Sequence, residues 1–349
     1  MEKLKIIRNL IRNRRNEAGP DYRDAAAVLL FIFLLPYVVS FFFGNAGAER
    51  TEEEREGRRE EVEERGRTGE PELFGEDMDK AEFIVCNLTE AGTERMPLET
   101  YLISRLPSTI PMDYETEALK AQAVVLRTEM MRLYYDSGEK DKDGKACIYV
   151  ESNIVKTDDE AYQKCVDVVN STKGMYLTYE GHPVNAPYFA VSAGATRNGN
   201  EVFESDDYGY LKSVVCGRDF TSEDYIHSER MGKDVFLKRM QKLCPETTWA
   251  EGEAVEDALP IVRDRAGYVL KIGSGENVVS GEVFRTAFLL NSSCFELREE
   301  GDSIVIKTKG VGHGLGLCQY GANEAAKKGS DFIDILNYFF SEIVIEKTE

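Results

Sequence analysis

The 349-residue sequence has no CxxC pair, and its seven cysteines (Cys86, Cys147, Cys165, Cys216, Cys244, Cys294, Cys318) are an odd number. Neither a disulfide framework nor a zinc ribbon is indicated, so the cysteines read as small buried residues, with one or two disulfides still open. Positive charge is also short, with 43 Lys and Arg against 63 Asp and Glu and a formal net charge of -20. That balance speaks against nucleic acid as a partner and against passive adhesion to anionic polymers. Apolar residues are nearly absent from Glu49 to Gly75 (ERTEEEREGRREEVEERGRTGEPELFG). Such a stretch cannot bury a core and reads as a solvated tether.

The N-terminus is opposite in kind. Residues 1–24 are rich in Lys and Arg and lead into the uncharged run AAAVLLFIFLLPYVVSFFFG, 25–44. At about 1.5 Å per residue, this run is just long enough to cross a bilayer. The expected organisation is a cytoplasmic basic N-terminus (1–24), a transmembrane signal anchor (25–44), a disordered charged linker (45–76) and an extracytoplasmic domain (77–349). A cleaved signal peptide is the rival, with Ala46 and Ala48 as its small-residue site, although its apolar core would usually be only about 7–15 residues.

The domain is organised around Tyr101 to Met130, YLISRLPSTIPMDYETEALKAQAVVLRTEM. Pro107 and Pro111 hold the first part out of helix, and Asp113 or Thr116 can cap a helix beyond them. That helix is predicted from Thr116, with Leu119, Ala123, Leu126, Met130 and Leu133 as one apolar stripe and Ser137-Gly138 as its stop. Arg127 lies on a neighbouring face, where its fork of donors suits either a carboxylate-bearing ligand or a structural ion pair.

Ala81 to Leu88 reads as a first strand, Asp158 to Ser171 as a helix, and Met175–Tyr179 with Pro183–Phe189 as a hairpin. Tyr210 and Lys212 are expected on one face of a strand. Further strands are read at 263–272, 274–279, 293–297 and 303–307. A Gly-rich turn at 310–316 leads into a helix from Gln319 to Lys328, and Asp331 to Phe340 forms the last helix. No Lys-Ser/Thr follows those glycines, so a phosphate loop does not fit. The fold class is α+β: a mixed, strand-rich domain with one long amphipathic helix.

Two motifs carry a resemblance. Glu117-Ala118-Leu119-Lys120-Ala121-Gln122-Ala123 and Gly310-Val311-Gly312-His313-Gly314-Leu315-Gly316-Leu317-Cys318-Gln319-Tyr320-Gly321-Ala322 are similar to the two signature segments of the stage II sporulation protein D and amidase-enhancer family. Tyr188 to Thr196, Tyr210-Leu211-Lys212 and Asp219 also follow that family's pattern. The resemblance implies a membrane-anchored protein acting on peptidoglycan glycan strands by lytic transglycosylation. Its implied partners are a cell-wall amidase and other membrane proteins of an engulfment complex. It implies no cofactor, and no metal is carried over, because the loop before Cys147 lacks the His that family members use there with a Cys to bind zinc.

The resemblance also exposes a departure. Laying the family pattern back from the helix motif puts its glutamate-methionine-proline signature on Thr109-Ile110-Pro111, so the general acid is replaced by Thr109. Transglycosylation needs a carboxylic acid that protonates the leaving oxygen and then, as carboxylate, deprotonates the attacking 6-hydroxyl. Threonine does neither. Two main readings stay open: a catalytically degenerate, glycan-binding protein, or an enzyme in which Asp113 or Glu115 substitutes, Glu117 being a weaker candidate. The implied substrate-binding set is Arg127, Tyr210, Lys212, Asp219, His313, Gln319 and Tyr320. Ser192, or Cys318 with His313, as a nucleophile is a further alternative.

Overall fold

The computed structural model describes residues 82–348, apart from 90–91, 141–143, 153, 155–157, 246, 248–252 and 276. The basic N-terminus, the expected membrane span and the charged linker all lie outside the described residues. No helix among the described residues is long and apolar enough to cross a membrane.

The domain is mixed α+β. Strand β1 (Phe83–Thr89) pairs antiparallel with β2 (Gly92–Pro97), which runs directly into helix α1 (Leu98–Arg105). A short 3-10 turn, Leu106–Ser108, comes next. The expected loop from Tyr101 is therefore corrected, because helix persists until Pro107 removes the donor the next turn would need. Helix α2 spans Thr116–Ser137 and stops at Gly138 in the left-handed conformation, but its N-cap is Glu115 and no side chain caps it.

Strand β3 (Ala146–Val150) then pairs parallel to β1, which brings the sulfurs of Cys86 and Cys147 to 3.0 Å. Helix α3 (Asp159–Ser171), capped by Asp158, leads to β4 (Met175–Tyr179), β5 (His182–Pro183) and β6 (Tyr188–Phe189). The hairpin is real but short. Only β5 pairs with β4, while β6 pairs parallel with a strand from the Gly-rich segment.

The stretch between Thr221 and Ala254 holds a strand that its polar composition concealed, β7 (Ile226–Gly232), followed by α4 (Lys233–Leu243). Strands β8 (Ile261–Arg263), β9 (Val269–Ser274) and β10 (Asn277–Ser280) make one antiparallel sheet and feed α5 (Gly281–Phe288). Strands β11 (Phe295–Glu300) and β12 (Ser303–Lys309) pair with each other, and β12 also pairs with β7. The Gly-rich turn carries the chain to β13 (Leu317–Cys318), the partner of β6, and to α6 (Gln319–Ala326). Helix α7 (Phe332–Phe339) and β14 (Val344–Lys347), antiparallel to β4, close the domain.

Helix α2 is buried on two sides, not on the single stripe its periodicity predicts. Leu119, Ala123, Leu126, Met130 and Met131 enter one apolar cluster with Leu98, Leu102 and Leu106. Ala118, Ala121, Val124 and Val125 enter another with Leu317, Ala322, Leu336 and Phe339. The second face is made of small residues, which lets α6 and α7 approach closely and was hard to see beside the first. A separate cluster around Phe236, Phe284 and Phe295 fills the later sheets.

The Gly-rich turn lies against the chain leading into and out of β6. A Cβ on Gly316 would stand 2.1 Å from the Pro187 carbonyl, and one on Gly310 would stand 2.5 Å from that of Val191. Both residues have positive φ, so only glycine fits.

Candidate functional site

Thr109 sits half-buried between the 3-10 turn and α2. Its hydroxyl donates to the Leu106 carbonyl at 2.8 Å, closing the turn. Its own carbonyl accepts from Gln319 Nε2 at 2.6 Å, and the same nitrogen donates to Gln122 Oε1 at 3.0 Å. Further on, the Glu115 amide donates to Asn323 Oδ1 at 2.8 Å. The two signature motifs thus dock on each other through α2 and α6, and they grip the 109–115 loop by its main chain. The side chain at 109 takes no part in that grip.

Around Thr109, Asp113 and Glu115 are both exposed at the surface. Glu117 is committed elsewhere, accepting from the Phe332 amide at 3.0 Å and pairing with Lys120 at 2.7 Å. Burial, reinforced by the negative forms of Cys318, Asp113, Tyr320 and Asp224, pushes the Tyr114 phenol up to about 12. Tyr114 is therefore a permanent O–H donor beside this loop. Tyr320 shares a hydrogen bond with Thr221 at 2.9 Å between hydroxyls. Gln319 and Tyr320 from the expected binding set stand here, together with Gln122, Asn323 and Tyr114, which sequence reasoning did not single out. Gln122 lay inside the matched helix motif, so its signal was present.

Of the other expected binding residues, Arg127, Tyr210 and Asp219 are used inside the fold. Arg127 is fully buried and grips Glu99 in a fork, with Nε–Oε1 at 2.9 Å and Nη2–Oε2 at 2.6 Å, while donating to the Met175 carbonyl at 3.0 Å. It is the structural ion pair, tying α1, α2 and β4 together. Tyr210 is buried and its hydroxyl donates to the Asn185 carbonyl at 3.0 Å, whereas Lys212 is exposed and pairs with Glu342. These two residues do not share a strand face. Gly199 N bonds to the Leu211 carbonyl and Ser341 N to that of Tyr210, so the segment's backbone groups are taken up singly and no ladder forms.

Asp219 is buried, accepting from the Ser192 amide at 2.7 Å and from the Cys318 thiol at 2.9 Å, both at Oδ2. Burial raises Cys318 well above the ordinary thiol range, opposite to what a nucleophile requires. Ser192 Oγ accepts from the Gly194 amide at 3.0 Å. A shallow cavity of about 460 Å³, lined by Met175, Ile333, Ile343 and Ile345 among others, shares no residue with the Thr109 site.

His313 belongs to a separate polar cluster. Arg197, buried, pairs with Asp264 at 2.5 Å and Glu282 at 3.2 Å and donates to the His313 carbonyl at 3.3 Å. Burial would raise the Glu282 carboxyl, but Arg285 and Arg197 overcome it and hold it below the usual range. Burial lowers His313 to about 4; Glu282 opposes this, while Arg285 and Arg197 push the same way.

A histidine lowered on folding favours the native state only while it is neutral. Its contribution is whole above the unfolded value of 6.5 and is lost as pH falls towards about 4. Urea unfolding at pH 7.5 and pH 5 should show a stability loss about 2 kcal/mol larger for the wild type than for His313→Gln. Equal losses would mean that His313 carries no such linkage.

A strand-rich α+β domain in which a Gly-rich turn and its helix dock on the EALKAQA helix defines a class, whose members match this chain in sequence as well. A family model described as Stage II sporulation protein matches residues 89–179. Stage II sporulation protein D of Bacillus subtilis (strain 168) is 30% identical over 279 residues, covering 76% of this chain and 79% of that protein. The Bacillus amyloliquefaciens protein of the same name is 29% identical over 279 residues, covering 76% and 78%. The amidase enhancer of Bacillus subtilis (strain 168) is 22% identical over 287 residues, covering 67% of this chain and 39% of that protein. The chain belongs to the stage II sporulation protein D family.

Proposed function

We propose that this protein binds peptidoglycan glycan strands during sporulation or cell-wall remodelling without cleaving them, tethered to the cell membrane through residues 25–44. The observation that carries this reading is Thr109. The loop that would present the general acid is held in place by Gln319 and Asn323, yet it offers only a hydroxyl that donates to Leu106. A threonine hydroxyl does not ionise in the working range, and losing a positioned acid typically costs about 10² to 10⁴ in rate. Asp113 and Glu115, the substitute candidates, lie at the surface and lack the apolar surroundings that keep a general acid protonated. The name of the amidase enhancer suggests the partner, a cell-wall amidase whose product the chain holds.

The test is incubation of the purified protein with intact and amidase-stripped peptidoglycan. Retention on the stripped glycan with no 1,6-anhydro-muramyl ends in the mass spectrum is expected. Such ends from the wild type would overturn the non-catalytic reading, and absence of retention would overturn glycan binding.

A further inference from the structure

We infer that Cys216, Asp219 and Cys318 form a binding site for one thiophilic divalent cation of the zinc class. Two of these residues stand three apart in the loop before β7, and the third is the N-cap residue of α6. Their ligand atoms lie within 4.8 Å of one another, and all three residues are buried. Cys318 Sγ approaches Asp219 Oδ2 to 2.9 Å. Zinc holds thiolate sulfur at about 2.3 Å and carboxylate oxygen at about 2.0–2.2 Å, so a tetrahedral site requires ligand separations of roughly 3.5 Å. All the separations are within 4.8 Å, and the 2.9 Å approach of Cys318 to Asp219 need widen only by about 0.6 Å to reach it.

An independent observation points to a missing partner. Asp219 Oδ1 is buried and has no hydrogen bond, although leaving a buried carboxylate oxygen unpaired is costly. A cation between the two sulfurs and Asp219 would satisfy it. The Ala190 carbonyl is 3.9 Å from Cys318 Sγ, and the Val214 carbonyl is 4.0 Å from Cys216 Sγ. Two soft sulfurs with one carboxylate select zinc over calcium or magnesium. Zinc takes cysteine sulfurs as thiolates. Binding then transfers the thiol protons, and the carboxyl proton where present, to solvent, and affinity rises with pH. No oxidant or reductant is involved.

The consequence for the rest of the molecule is mechanical. Cys318 immediately precedes Gln319, which holds the Thr109 carbonyl, so a cation here would fix α6 in the register that positions that loop.

Cobalt(II) reports the site directly. Full-length protein, reduced and stripped with a chelator, is titrated with Co²⁺ while thiolate-to-cobalt charge-transfer absorption is followed in the near ultraviolet. One equivalent should bind, and the band should vanish in Cys216→Ser and in Cys318→Ser but persist in Cys147→Ser, which controls for the sulfur pair at Cys86. Asp219→Asn, which keeps both sulfurs and the shape of the site, should weaken binding by at least about tenfold. It decides the question should Cys318→Ser fail to fold. A band that survives Cys216→Ser, no binding by the wild type, or a Cys216–Cys318 disulfide in the protein as isolated would each overturn the site.

Discussion

Thr109→Glu is expected to convert the protein into a glycan-cleaving enzyme, with 1,6-anhydro-muramyl ends appearing on amidase-stripped peptidoglycan at a rate about 10² to 10⁴ above the wild type. The expectation rests on how position 109 is held. Gln319 Nε2 binds its carbonyl and Asn323 binds the Glu115 amide, so both contacts survive any change of side chain. The change removes one hydrogen bond from the threonine hydroxyl to Leu106, worth about 1 kcal/mol. A carboxyl introduced at this half-buried point has reduced access to water, which favours a general acid. Product analysis of Thr109→Glu with Thr109→Gln as control checks it, since the amide matches the shape without the proton. Equal inactivity of the two variants would mean that more than the acid has been lost.

Glu99→Ala is expected to be the most damaging single change to stability, by about 3–5 kcal/mol. It leaves the fully buried guanidinium of Arg127 facing only the carbonyls of Met175 and Val169. A charge in that position has no water to return to. Replacing both partners, as Glu99→Leu with Arg127→Met, should recover much of the loss, because apolar residues of similar volume impose no desolvation cost. Urea unfolding of the single and double variants measures the difference. A double variant as unstable as the single one would show that the packing around Arg127, and not its charge, matters.

Much of the fold was legible because its signals were local. The start of α2 at Thr116, its stop at Gly138, the helix α3 and the Gly-rich passage into α6 are each set by a few neighbouring residues. Strand β7 was not legible, since IHSERMG is mostly polar and becomes a strand only by pairing with β12. The role of position 109 is what the family resemblance implies, whereas the fate of Arg127 and Tyr210 lay beyond any motif. Whether an arginine meets a substrate or Glu99, 28 residues away, is decided by tertiary contact. The Cys216–Asp219–Cys318 cluster was invisible for the same reason, its third member standing 99 residues beyond Asp219 in the chain.

The two-sided burial of α2 has a consequence for how the domain folds. One helix supplies the wall of both the α1 cluster and the α6–α7 cluster, so neither can bury its surface until that helix is in place. Disordering either cluster strips one side of α2 and weakens the other. The first and last parts of the domain, Glu117 and Phe332 being 215 residues apart, are thereby joined into one cooperative unit, and the chain must be made through α7 before the helix at its centre is secure.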